Sequence, residues 1–480
     1  MPPNQSAPCA TVTGADWFGG IDWGDDGFLY FTSVANEAVS RVPAGGGTAE
    51  PVGTLEDSSA ARPVIGFRAQ RNPRALRGGR AVLFSIWRGP GVDGDIGAVD
   101  LRTRKTRLVA KGRYVVGARD GHLLVVSADG VLRALPFDEE RLEVRGAAIP
   151  LISDVVTEEG TSQIALADDG TLAFVPDVAA RSSLVWVSRD GDVTPLDLGA
   201  HKAFDAVAIS PRGDRVALSA VAADGSASTW LYDLRQHTLT PFATGAVLTH
   251  RPRWSPSGSA IVVVSDRAST ASIRSLWLQP VDGGDTARIL VRSARHAQEA
   301  ALSPDGRWLA YREGYDDGRT FRDLRYVQLG ADTTSRSFAA SGANEQNPAF
   351  SPDGRSIAYV SNETGRDEVY VAPFPGPGGR LIVSPDGGRE PVWARSGREL
   401  YFRALDGRLV AVGVTPGTTL QITDRQPLFD ASRYLTAAYY TAYDVAGDGR
   451  FLFIEPPPDP GIQVIGGWSG ELARRLDGRP

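Results

Sequence analysis

A turn glycine recurs through the chain at Gly27, Gly79, Gly121, Gly170, Gly213, Gly258, Gly306, Gly354, Gly397 and Gly449, with spacings of 52, 42, 49, 43, 45, 48, 48, 43 and 52 residues. Ten units at this period fill the sequence almost end to end. Self-similarity of this kind marks solenoids, propellers and arrays, so it restricts the fold more than composition does. The clearest copies read AISPRGDRVALSA (208–220), RWSPSGSAIVVVS (253–265), ALSPDGRWLAYRE (301–313) and AFSPDGRSIAYVS (349–361). Weaker copies read VWARSGRELYFRA (392–404) and DVAGDGRFLFIEP (444–456).

One unit is readable physically. An apolar residue such as Ile209, Trp254, Leu302 or Phe350 ends a short strand. In the Ser-Pro-Asp-Gly that follows, proline presets φ near about −65°, aspartate bonds nearby amides and glycine accepts a positive φ. Next comes an apolar run such as Trp308-Leu309-Ala310-Tyr311, then a polar loop and a third strand such as Ser275-Leu276-Trp277-Leu278. Runs of this length and composition read as buried strands. A fourth strand precedes the next unit. Four antiparallel strands per unit make a propeller blade, which is apolar on both faces and needs neighbours to survive in water. Helical repeats share the period but need uninterrupted stretches of about 10–15 residues with 3.6 periodicity. The 54 Gly and 32 Pro leave no such stretch. The expected fold class is all-β, a β-propeller of four-stranded antiparallel blades in ten units.

Charge and cysteine content exclude several functions. A net charge of −6 and a pI near 5.6 provide no field to attract a phosphate backbone, so nucleic acid is not an expected partner. The basic stretches RNPRALRGGR (71–80) and LRTRKTR (101–107) read as a solvated loop and strand edge. Cys9 stands alone, which rules out an internal disulfide and a multi-cysteine metal site. His122, His201, His237, His250 and His296 show no i, i+2 or i, i+4 pair, so neither metal nor cofactor is expected. No apolar run reaches the roughly 18 residues of a spanning helix, and MPPNQSAPCATVTG lacks a basic-then-apolar leader. As written, the sequence reads as a monomer without membrane insertion, cytoplasmic as it stands.

The Ser-Pro-Asp-Gly units resemble the WD40-like PD40 repeats of TolB-type propellers. Longer stretches resemble the C-terminal propeller region of bacterial serine/threonine protein kinases. These are GHLLVVSADGVLRALPFDEERLEVRGAAIPL (121–151), FSPDGRSIAYVSNETGRDEVYVAPFPGPGG (350–379) and SPDGGREPVWARSGRELYFR (384–403). The resemblance implies two consecutive six-bladed rings: a complete one from the last six units and an incomplete one from the first four. A single larger ring is the alternative. The implied domains are a disordered terminus at 1–15, propeller blades at 16–199 and a six-bladed ring at 200–480. Strands are expected near 442–445, 450–455 and 462–468 in the last unit, with one from elsewhere completing it. The kinase motifs are missing: no Gly-rich loop with a strand lysine, no His-Arg-Asp loop, no Asp-Phe-Gly. What the likeness implies is a non-catalytic sensor or scaffold, with a protein or peptide partner such as a kinase or an envelope protein. The chain is extracytoplasmic if it is cut from a membrane kinase, so the compartment stays open.

Seven positions before the turn glycine stand Ala206, Arg251, Glu299, Asn347, Glu390 and Ala442. Arg251, Glu299, Asn347 and Glu390 are the candidate channel residues, converging on a partner or simply solvating the channel. Glu299 with Glu390 is the one carboxylate pair that a propeller-borne hydrolase or lyase could use. Asp305 and Asp353 read as turn formers, because Arg212, Ser257 and Ser396 fill the same position. Trp254, Trp308 and Trp393 read as packing, and Pro373–Gly379 as a stiff loop between strands.

Overall fold

The computed structural model describes residues 19–476, except 34–37, 54–69, 87–93, 154, 159–160, 177–181, 200–201, 223–225, 244–247, 268–272, 283–286, 294, 315–321, 331–333, 377, 416–419, 438 and 458–460. The segment 1–15 with Cys9, and also His201, lie outside the described residues. The chain divides into two compact units. The first comprises Met1–Val178, Ala223–Gly225 and Asp459–Pro480; the second comprises Ala179–Ala222 and Ser226–Pro458.

The second unit holds six four-stranded antiparallel sheets. Blades 1 to 5 are each four consecutive strands, with Ala203–Ile209, Thr249–Trp254, Ala297–Leu302, Glu345–Phe350 and Gly388–Trp393 as their leading strands. Blade 6 is composite. Asp444–Val445 and Phe451–Glu455 come from late in the sequence, while Ser183–Val187 and Val193–Leu196 come from before blade 1. The join runs antiparallel from Ser183↔Glu455 to Val187↔Phe451. Leading strands pack in cyclic order, each blade on the next and blade 6 back on blade 1.

This division departs from the expected one. The boundary at 199/200 falls inside the second unit, because Ser183–Leu196 supply two strands of its last blade. The stretch near 462–468 does not join that blade: Gln463–Ile465 pairs with Leu172–Phe174 in the first unit. The glycine period marks turns, and turns do not encode which distant strand completes a sheet.

Blade-on-blade packing buries the apolar runs. Between blades 4 and 5, Ala358, Val360, Val369 and Val371 meet Trp393, Leu400, Phe402 and Val412, all nearly without exposure. Burying such a side chain is worth roughly 1.5–3 kcal/mol relative to leaving it in water. The turns form as their chemistry dictates. Ser303 Oγ donates to Asp305 Oδ1 (2.5 Å), the Arg307 amide donates to the same oxygen (3.0 Å), and Gly306 takes φ +69°. Ser351, Asp353 and Gly354 repeat the arrangement. Asp305 and Asp353 are therefore spent on the turn.

Polar ties join neighbouring blades. Trp254 Nε1 donates to the Ala208 carbonyl (2.9 Å) and Trp393 Nε1 to the Ala349 carbonyl (3.1 Å), in each case one blade back. Asp444 Oδ2 accepts from the Ile209 amide (2.7 Å), linking blade 6 to blade 1. These tryptophans are packing residues with one directional bond. Trp393→Phe should keep the ring face, remove the bond to the Ala349 carbonyl and lower stability by about 1 kcal/mol in denaturant unfolding. An unchanged midpoint would show the bond to be dispensable. Phe374, from the proline-rich loop, packs edge-on against Trp308 (5.6 Å), Tyr326 (5.1 Å) and Phe350 (4.8 Å).

The first unit contains sheets led by Ile21–Trp23, Gln70–Ala75, Tyr114–Arg119 and Ile164–Leu166. The last of these is completed by Gln463–Ile465, and the helix Trp468–Leu476 follows, burying Trp468 and Leu472 among Leu124, Val126 and Phe174. Here Asp22 Oδ2 accepts from the Ala75 amide (2.7 Å), the same tie that Asp444 makes in the second unit. The basic stretches are ion-paired within this unit: Arg74–Asp22 at 3.6 Å, Arg77–Asp168 at 3.5 Å and Arg107–Glu143 at 3.4 Å. Among the described residues, no helix is long and apolar enough to cross a membrane.

Candidate functional site

Arg251, Glu299, Asn347 and Glu390 share one backbone device. Each has a left-handed φ, +52°, +53°, +55° and +56° respectively, at a bulge where its leading strand slips against the second strand. A non-glycine residue in this region costs on the order of 1–2 kcal/mol, and bulges re-aim side chains. Proline follows three of the four (Pro252, Pro348 and Pro391), so leaving the ladder there orphans no amide. Asn72, followed by Pro73, repeats the device in the first unit at φ +53°.

The two glutamates turn out to be structural ties. Glu299, 7 % exposed, receives Arg312 Nε on Oε1 at 2.6 Å and the Asn347 amide on Oε2 at 2.7 Å. Glu390, fully buried, accepts the Ala437 amide on Oε1 (3.2 Å) and the Ala442 amide on Oε2 (3.3 Å), with Arg403 at 3.7 Å. Asn347 and Ala442 are the equivalent positions one blade further on. Each carboxylate thus clasps the equivalent position of the next blade, which for Glu299 is itself a bulge. Burial pushes the Glu390 carboxyl above its ordinary value, against the pull of Arg403 and the two amides. The two glutamates occupy separate clusters, each with its own arginine, and present no shared acid–base pair.

Arg251 and Asn347 come together instead. With Arg253, Glu299, Tyr440 and Thr441 they line a cavity of about 20 Å³. Tyr440 belongs to the segment 431–443, between the last strand of blade 5 and the first of blade 6. Its ring lies under the Arg251 guanidinium at 4.4 Å, while Arg322 lies over Tyr439 at 4.0 Å. Arg251 also donates to Gln298 Oε1, which Arg274 approaches at 3.4 Å, and Arg322 donates to Gln346 Oε1 at 3.1 Å. Three partly exposed arginines therefore sit with two partly exposed tyrosines on the leading-strand side of blades 2 to 4. Tyr440 donates to Asp205 Oδ2 (3.3 Å), and burial pushes both groups above their ordinary values. Among the described residues, no three His, Cys, Asp or Glu side chains form a metal-binding group.

Reading the repeat alone missed Arg312, Arg403, Tyr439 and Tyr440. A signal was present for each pair. Arg312 and Arg403 stand six residues after their turn glycines, only in the two blades of this unit whose bulge residue is Glu. The tyrosines lie in the surplus that stretches the last spacing to 52, against 43 to 48 for the preceding four.

Four-stranded antiparallel sheets packed blade on blade define a β-propeller. Residues 199–397 match the family model of the TolB beta propeller domain, PD40, so the chain carries a TolB-type propeller domain. Among solved structures it is similar to a putative TolB from Agrobacterium tumefaciens, with 19% identity, TM-score 0.45, and 58% of this chain and 99% of that one covered. It is also similar to TolB from Acinetobacter baumannii, with 16% identity, TM-score 0.33, and coverage of 62% and 78%. A third likeness is to an oligogalacturonate lyase in complex with manganese, with 13% identity, TM-score 0.38, and coverage of 63% and 80%. At these values neither a substrate nor a partner carries over.

Proposed function

We propose that the second unit is a six-bladed TolB-type ring that binds a protein or peptide partner, without catalysis, where Arg251, Arg274 and Arg322 meet Tyr439 and Tyr440. The observation that supports this is the layering of guanidinium groups on tyrosine rings at 4.0 and 4.4 Å beside glutamine amides. Arginine and tyrosine dominate binding hot spots, because each offers a large rigid surface with directional donors. Glu299 contributes from beneath by holding the bulge at Asn347, and Glu390 by holding the Ala437 and Ala442 amides on either side of Tyr439 and Tyr440. Glu299 and Glu390 are engaged by Arg312 and Arg403, which favours a binding role over turnover. A kinase or an envelope protein fits as the partner, and a kinase-associated sensor role rests on the sequence resemblance.

Panning a displayed peptide library on the intact chain tests this reading. An enriched peptide family should bind the Arg322→Ala/Tyr439→Ala variant about tenfold or more weakly, as expected for loss of a hot-spot pair. Equal binding to parent and variant would overturn the assignment of the surface. Turnover of a glycoside or polyuronate panel by the parent would overturn the non-catalytic reading.

A further inference from the structure

The cavity beneath the arginines has its own chemistry, independent of any partner. Its volume, about 20 Å³, accommodates one water-sized ligand. Donors dominate its lining. Asn347, only 4 % exposed, presents a buried Nδ2 that no protein acceptor meets, and the buried Arg251 Nε is likewise unmet. The acceptors on the lining itself are engaged, while Asp205 Oδ1, behind Tyr440, is buried and unmet. Glu299 has one oxygen on Arg312 and the other on the Asn347 amide, and the Thr441 carbonyl receives Arg253 at 3.3 Å. Tyr440 directs its hydroxyl to Asp205.

Two guanidinium groups, Arg251 and Arg253, flank this space. Desolvation of Arg253, with a smaller part from Arg251, holds the Arg253 value below that of a free guanidinium, even with Asp444 and Glu299 opposing. A buried site that offers unmet N–H donors beside two like positive charges favours a negative ligand over a neutral one. The space takes a monatomic anion whole, whereas carboxylate, phosphate or sulfate would fit only in part.

We propose that this cavity is a halide site, holding one chloride between Arg251, Arg253 and the Asn347 amide group. The ion would neutralise the arginine pair and fasten the segment carrying Tyr440 and Thr441 against blades 2 to 4. The site is structural in character and makes no use of the peptide-binding reading, so each stands or falls alone.

Chloride-35 NMR on the full chain reads the site directly. The parent should broaden the chloride line in excess of bulk, and bromide should compete the excess away while isethionate does not. Arg251→Gln and Asn347→Leu should each cut the excess about tenfold, as loss of a charge-assisted donor predicts. Parent crystals grown in bromide should show an anomalous peak between Arg251 and Asn347, which decides the matter if either variant fails to fold. No excess broadening with no bromide peak means the cavity holds water, and the proposal is wrong. Excess broadening that survives both substitutions in folded protein places the halide elsewhere and equally overturns it.

Discussion

Glu390→Ala should lower the stability of the second unit by about 3–5 kcal/mol, read as a fall in the urea midpoint at unchanged slope. The magnitude follows from what the carboxylate holds. It takes the Ala437 and Ala442 amides and faces Arg403 at 3.7 Å, with no exposure to water. Alanine would orphan both amides and leave Arg403 with neutral partners only, the Ala431, Tyr434 and Leu435 carbonyls and the Thr436 hydroxyl. A loss under about 1 kcal/mol, the scale of one ordinary hydrogen bond, would show that the clasp is not holding blade 5 to blade 6. The pH dependence has a defined sign. Burial raises the folded-state value of this carboxyl, so its contribution is complete below the unfolded value near about 4.3 and is lost as pH rises through the folded one. Glu390→Gln does not titrate there. The advantage of the parent over Glu390→Gln should therefore shrink as pH rises above the unfolded value, and a widening advantage would mean that Arg403 outweighs burial.

The second large effect falls on the closing blade. Phe453 has no exposure and stacks on Tyr434 (4.5 Å, 18°) and Tyr443 (5.1 Å, 17°), with Phe429 edge-on at 6.1 Å. Its strand pairs with Ser183–Val187 on one side and Asp444–Val445 on the other. Phe453→Ala should cost about 3–5 kcal/mol, the range for emptying a buried aromatic site. Hydrogen exchange should then quicken together in Ser183–Val187 and Phe451–Glu455, because the two segments share one sheet. Faster exchange confined to Phe451–Glu455 would mean that the join between early and late strands does not depend on this core.

Much of the local architecture was legible beforehand. Ser303, Asp305 and Gly306 form the turn that their chemistry dictates, and Trp254 and Trp393 pack where their place in the repeat suggests. The candidate positions were found by counting back from the turn glycines, and Arg251 and Asn347 do meet at one cavity. Their shared left-handed backbone was hinted at only by the prolines that follow three of them. What counting could not show was the role of each side chain. Glu299 and Glu390 looked like a carboxylate pair in a channel, yet each is buried against an arginine from the adjoining strand and an amide from the next blade. Burial and partner depend on atoms supplied by other blades, which a linear spacing does not contain.

The sequence by itself determined the strand length, the turn chemistry and the blade as the repeating unit, because all three depend on residues within a few positions of one another. Only the tertiary structure decided that Ser183–Leu196 completes the blade begun at Asp444, and that Gln463–Ile465 returns to pair with Leu172–Phe174. Edge strands of a sheet are chemically alike, so the choice among them belongs to whichever closure buries the most apolar surface in three dimensions.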